Sequence, residues 1–198
     1  MLQKYDRGAS KHVYDIVTGN ESWICAYEPK SKYPTKVARA RSISKQMIAC
    51  FFGRTGHVAI VRLEQHKTVN SDWYTTIPLP VVFHEIRKSS RRRRITLHHD
   101  IVSSHTTAQT TSFLSTQNID LMSHAADSPD LAPNDFFLFP YVKNKMRDER
   151  FSTPEETVDA FRMLVLEIPQ SEWQKHFHNL YKRMLKCIDL NGEYFEKQ

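Results

Sequence analysis

Two apolar runs, residues 46–52 and 57–63, are separated only by Gly53-Arg54-Thr55-Gly56. So short a glycine-containing connection brings the two runs together as an antiparallel hairpin, and the rest of the chain must fold around that ribbon. Residues 13–18 and 22–27, rich in β-branched and aromatic side chains, read as two more strands around the turn-prone pair Gly19-Asn20. Residues 94–99 form a fifth strand candidate and 119–123 a short sixth. Helical signals come later. Residues 70–88 look helical, with Pro78 and Pro80 breaking or bending the run. Thr153-Pro154-Glu155-Glu156 combines an N-cap threonine, a first-turn proline and first-turn acids, followed by Val158, Phe161, Val165 and Ile168 at helical spacing. Ser171-Glu172-Trp173-Gln174 reads as a second capping box. It opens the stripe Trp173, Phe177, Leu180, Met184 and Cys187, which Asn191-Gly192 closes. Hairpins first, then a strand–helix–strand unit, then helices: this order predicts an α/β or α+β domain built on one mixed sheet.

The 198 residues fit a single domain, 1–198, and 40% hydrophobic content supplies a real core. With 5 glycines and no repeat, no flexible linker divides the chain. No apolar run approaches the ~18–20 residues of a membrane span, and the N-terminus shows no secretory h-region. Three cysteines without C-x-x-C spacing argue against a disulfide framework or a thiolate zinc site and suit a reducing compartment. A net charge of +6 favours a polyanionic partner.

Two segments carry acids in informative settings. Ile95-Thr96-Leu97-His98-His99-Asp100 is an apolar strand ending in a carboxylate, at the strand end where open α/β sheets build their sites. The alternative is that Asp100 merely caps the next helix. In Ser128-Pro129-Asp130-Leu131-Ala132-Pro133-Asn134-Asp135 two prolines stiffen a loop, and Asp135 falls in the first turn of a helix, where the helix dipole alone would favour it. Between Asp100 and Asp135 lie 34 residues.

Taken together, Val17-Thr18-Gly19-Asn20-Glu21-Ser22-Trp23, His98-His99-Asp100 with Ser104-His105, the block 128–140 and the ending Cys187-Ile188-Asp189-Leu190-Asn191-Gly192-Glu193-Tyr194-Phe195 resemble the catalytic domain of mariner-family DNA transposases. They are similar, too, to the transposase-derived region of SETMAR proteins. The resemblance runs from about Tyr5 onward. It implies an RNase H-like fold, a mixed five-stranded sheet flanked by helices, and a three-carboxylate site on the first strand, at Asp100 and at Asp135. It also implies two Mg²⁺ (or Mn²⁺) ions for DNA strand cleavage and integration. Such ions sit about 3.5–4 Å apart and want hard oxygen ligands on a rigid frame.

This chain departs from the family pattern at the first acid, where it carries Asn20. Asparagine keeps one ligand oxygen and removes a negative charge, and a loss of ~4 kcal/mol would slow the reaction about a thousandfold. Asp15 and Glu21 lie an odd number of residues away and would face the other side of a regular strand. Impaired or absent cleavage is therefore expected. Ile101-Val102 after Asp100 and Ala125-Ala126-Asp127 before Ser128 also replace the family's usual residues, and the loop near 29–36 is short. In the family that loop reaches a partner subunit, so a homodimer here would be weakened. The helix-turn-helix region that reads transposon ends is expected to be absent.

Arg87-Lys88-Ser89-Ser90-Arg91-Arg92-Arg93-Arg94 holds six cations in eight residues, suited to a phosphate backbone, a nuclear localisation signal or a plain solvated loop. Lys36, Arg39, Arg41 and Lys45 form a milder set. Trp23, Trp73, Tyr74 and Trp173 have periodic settings that favour core packing over base stacking. His98, His99 and His105 suggest zinc, but strand parity leaves only two ligands on one face. Ser104 and His105 lack a G-x-S-x-G elbow for hydrolase chemistry. The sequence therefore favours a DNA-binding, nuclear, transposase-like domain without a membrane or small-molecule cofactor. A still-active metal-dependent nickase, a non-enzymatic binding module and a pseudogene product are the alternatives.

Overall fold

The computed structural model describes residues 16–26, 45–64, 68–89, 94–99, 103–122 and 128–191. Its centre is a five-stranded sheet in the order β3-β2-β1-β4-β5, formed by β1 (Ile16–Cys25), β2 (Lys45–Gly53), β3 (Gly56–Arg62), β4 (Ile95–His99) and β5 (Ile119–Met122). The first three strands make an antiparallel meander, and β4 and β5 join parallel to β1. The hairpin read at Gly53-Arg54-Thr55-Gly56 is present, with Gly56 at φ 135°, a conformation that favours glycine.

The first two strand candidates are one strand. Gly19 and Asn20 lie inside β1, paired to Phe51 and Cys50 of β2. Ladder hydrogen bonding on both sides overrides the local turn preference of that dipeptide. The face of Gly19 is also filled: a Cβ built there would run into the Phe51 ring.

Alternation along β1 divides the molecule into two cores. Ile16 and Ile24 face α5 (Phe139–Met146), α6 (Pro154–Leu166) and α7 (Gln170–Asp189), in a layer that includes Phe52, Phe137, Phe161, Trp173 and Phe177. The Phe52 ring lies 4.8 Å from Trp173 and 5.8 Å from Phe177. Val17 faces the opposite layer of α1 (Ser71–Thr76), α2 (Pro78–Ser89) and α4 (Ala108–Thr116), with Phe51, Trp73, Tyr74, Leu79 and Leu114. Each large side chain so buried contributes about 1.5–3 kcal/mol.

The helix signals are mostly realised. The 70–88 run breaks at Ile77, with Pro78 opening α2. Thr153 caps α6 by accepting from the Glu156 N–H, while Glu156 accepts from the Ser152 N–H at 2.7 Å. The second capping box is not formed. Pro169 occupies the N-cap of α7 with extended backbone, and Ser171 falls within the first turn. A proline ahead of the helix sets that start two residues earlier than the serine would. Asn191, at φ 53°, ends α7. Among the aromatics read as core, Trp73, Tyr74 and Trp173 are buried, but Trp23 is 51% exposed. It lies near the C-terminal end of β1, beyond the β4 pairing, which stops at Gly19.

Candidate active site

Asn20 sits at the middle of β1 on the face covered by α5–α7, and is buried. Asp135 reaches it from 115 residues further along the chain. The block 128–140 folds as a 3₁₀ turn, Pro129–Leu131, then a π-helical turn, Asn134–Leu138, which runs into α5. Pro133 presets helical backbone, and the Asp135 and Phe136 N–H groups both donate to the Ala132 carbonyl. Asp135 is therefore in the first turn, as its sequence setting suggested, but that turn is wider than an α-helical one. Arg183 of α7 anchors the block. Its guanidinium donates to the Asp130 carbonyl at 3.1 Å and lies 4.3 Å from the Phe136 ring centroid. His176 stacks on Phe137, and burial is the main influence holding its pKa below the usual imidazole value.

The Asn20 amide nitrogen donates to Asp135 Oδ2 at 2.7 Å, and Asn20 Oδ1 accepts from the Glu21 N–H at 2.8 Å. Both contacts define the amide's orientation. Turned over, it would set oxygen against carboxylate and N–H against N–H. Two residues along the same face of β1, Ser22 accepts from Lys143 Nζ of α5 at 2.8 Å. Thr18, on the same face, contacts His98 Nδ1 at 3.3 Å.

Glu21 faces the other way, as strand parity required. It pairs with the buried His105 of α3 (Ser103–Thr106) at 3.2 Å. The His105 ring stacks on His99 at 4.6 Å, and His99 Nδ1 lies 2.9 Å from the Tyr74 hydroxyl. Burial, and next the Glu21 charge, push the Tyr74 pKa well up. Glu21 thus belongs to a separate polar cluster beneath the sheet and does not stand in for the missing acid. Sequence reasoning named the members of this cluster separately, His99 and His105 as zinc candidates, without pairing them, and passed over Lys143. A lysine in the last turns of a helix that also carries Lys145 has too common a signal to single out.

Asp100 lies outside the described residues, as do Arg91, Arg92, Arg93, the loop at 29–36 and the 101–102 and 125–127 segments. Of the other cations in the basic run, Arg94 pairs with Asp120 at 2.7 Å, Lys88 with Glu85 at 2.7 Å, and Arg87 donates to the Gln117 carbonyl at 3.2 Å. All three contacts are on the surface. Among the described residues, no group of three or more His, Cys, Asp or Glu side chains could hold a metal ion. No helix there is long and apolar enough to cross a membrane. A divalent ion needs oxygen atoms converging on it. Asn20 and Asp135 as arranged do not fit one, because an N–H donor and not an oxygen is turned toward the carboxylate.

No family model matches the chain. The Mariner Mos1 transposase of Drosophila mauritiana is 29% identical over 209 residues, covering 99% of this chain and 60% of that protein. The human histone-lysine N-methyltransferase SETMAR is 21% identical over 192 residues, covering 93% of this chain and 27% of that protein. The chain thus spans about 60% of the length of Mos1 and about a quarter of SETMAR. The crystal structure of the catalytic domain of Mos1 superimposes with a TM-score of 0.82 at 28% identity, over 98% of this chain and 90% of that one. The Mos1 paired-end complex with the left transposon end gives 0.85 at 27% identity, over 98% and 60%. The mixed five-stranded sheet with helices on both faces is the RNase H-like fold of that catalytic domain. The chain is homologous to the Mos1 mariner transposase and to the transposase-derived region of SETMAR.

Proposed function

We propose that this chain is a nuclear, DNA-binding, transposase-like domain of the DNA strand cleavage and integration class, and that its own cleavage is impaired or absent. The class rests on the homology to Mos1, whose solved structures include complexes with a transposon end and with Mg or Mn. The impairment rests on one observation: the position read as the first acid is an asparagine whose amide is hydrogen-bonded to Asp135. Asp100 completes the proposed set with Asn20 and Asp135. The chain's own part would be to hold DNA, with Arg87, Lys88 and Arg91–Arg94 following the phosphate backbone. Those cations would make affinity fall steeply with salt. Mg²⁺ or Mn²⁺ in the relatives supplies Lewis acidity and a metal-activated nucleophile. A homodimer, weakened by the short 29–36 loop, is the accompanying proposal.

The test is nicking of supercoiled plasmid in Mg²⁺ and in Mn²⁺, comparing the unmodified chain with Asn20→Asp, alongside DNA binding as a function of salt. Cleavage by Asn20→Asp alone, with salt-dependent binding by both, is the expected result. Equal cleavage by both would make the unmodified chain a working nickase and overturn the impairment. Binding without any salt dependence would overturn the DNA-binding role.

A further inference from the structure

Asn20 does more in this geometry than leave out a ligand. We infer that its amide locks the site in a self-satisfied, metal-independent state, taking the place of a divalent cation as the partner of Asp135 and fastening the π-helical turn ahead of α5 to β1. The inference rests on the reading of Asn20 and Asp135 as the first and third positions of the proposed site, and it concerns how that site is held.

Three observations carry it. The contact is short, 2.7 Å, and joins a buried amide to a half-buried carboxylate, so it is a charge-assisted hydrogen bond partly shielded from water. The amide cannot turn its oxygen toward Asp135 without losing the Glu21 N–H contact and opposing two oxygens. Further along, Lys143 meets Ser22 on the same face of the same strand. The anionic and cationic ends of this π/α segment are thus both answered by neutral side chains of β1, two residues apart. A cation shared between Asn20 and Asp135 Oδ2 would have to break the Asn20 contact, and would then face the positive end of the amide dipole.

The arrangement separates the three variants of position 20. In the unmodified chain the segment is held without metal. Asn20→Ala removes the donor and leaves Asp135 without that partner. Asn20→Asp sets two carboxylates against each other at hydrogen-bonding range, a repulsion that a divalent cation relieves.

Thermal unfolding of the full chain in EDTA and in increasing Mn²⁺, for the unmodified protein, Asn20→Asp and Asn20→Ala, tests this. The unmodified chain should melt at one temperature throughout. Asn20→Asp should melt lower in EDTA and rise by about 5–10 °C once Mn²⁺ exceeds its Kd a hundredfold. Asn20→Ala should melt lower than the unmodified chain in EDTA. A Mn²⁺-dependent rise in the unmodified chain as large as that in Asn20→Asp overturns the lock, as does an Asn20→Ala protein as stable as the original. If Asn20→Asp fails to fold, loss of the free Mn²⁺ electron paramagnetic resonance signal on titrating the unmodified chain decides the matter. Binding that Asp135→Asn abolishes overturns the inference; no binding, or binding that Asp135→Asn leaves unchanged, supports it. Failure of the lock leaves the DNA-binding reading standing, because only salt-independent binding refutes that reading, and that is a separate measurement.

Discussion

Replacing Gly19 by alanine adds one methyl group at the centre of the sheet, directly beside Asn20. Gly19 lies between Phe51 of β2 and His99 of β4. A Cβ at that position overlaps Cδ1 and Cε1 of the Phe51 ring. The ring has little freedom to withdraw, being fully buried and tilted against Tyr74 at a centroid distance of 6.4 Å. Two effects compete. Alanine in a strand interior saves about 0.5–1 kcal/mol of backbone entropy relative to glycine. Overpacking a filled core costs about 1–3 kcal/mol. With the ring held in place the second wins, leaving a net loss of up to about 2.5 kcal/mol, which in a chain of this size lowers Tm by up to about 10 °C. Urea unfolding should show the loss as a lower midpoint with an unchanged slope. In a Phe51→Leu background the ring is gone, so Gly19→Ala should cost less than half as much, and the cycle should report a coupling between the two positions. A Gly19→Ala protein at least as stable as the original would refute the reasoning. So would an equal penalty with and without the Phe51 ring.

Removing the α6 cap with Thr153→Ala should cost about 1 kcal/mol, seen as a lower urea midpoint, because the Glu156 N–H loses its acceptor. Cys50 is fully buried and its thiol pKa is pushed up by that burial, so a thiol reagent should label Cys25 and Cys187 in the native chain and Cys50 only after unfolding. Burial first, and Arg162 second, hold the pKa of His57 below its ordinary 6.5, with Glu85 pulling weakly the other way. The unfolded chain therefore takes up the proton more readily, and stability should begin to fall as pH drops through about 6.5. His57→Gln should flatten that slope in chemical unfolding measured from pH 8 to pH 5, and an unchanged slope would show that the histidine is not its source.

Local signals carried well where one segment decides its own conformation. The Gly53-Arg54-Thr55-Gly56 turn, the break at Pro78 and the Thr153 cap each depend on a few neighbouring residues, and each is present. Strand parity also separated Glu21 from Asn20 correctly, since alternation is a property of any regular strand. Local reasoning failed where distant partners decide. Gly19-Asn20 has turn chemistry, but β2 on one side and β4 on the other hold its neighbourhood extended. Trp23 looks like core until the parallel partner of β1 proves to stop short of it. The Asn20–Asp135, Ser22–Lys143 and Glu21–His105 contacts join residues 115, 121 and 84 positions apart, and no short motif announces such pairings. Asp100, whose reading depends on the same long-range assembly, lies outside the described residues.

The central place of β1 has a kinetic consequence. One of its edges pairs with β2, which can close early as part of an antiparallel meander. Its other edge waits for β4, about 80 residues later, and that pairing is parallel. Non-local parallel pairing is slow, because a long loop must close before the contacts that reward it form. A nascent chain that has completed the meander therefore displays the bare edge of its central strand throughout the synthesis of the next several dozen residues. During that interval the open edge is the molecule's most adhesive surface. Yield on expression should accordingly depend more on how fast the second half is made and docked than on the final stability of the folded domain.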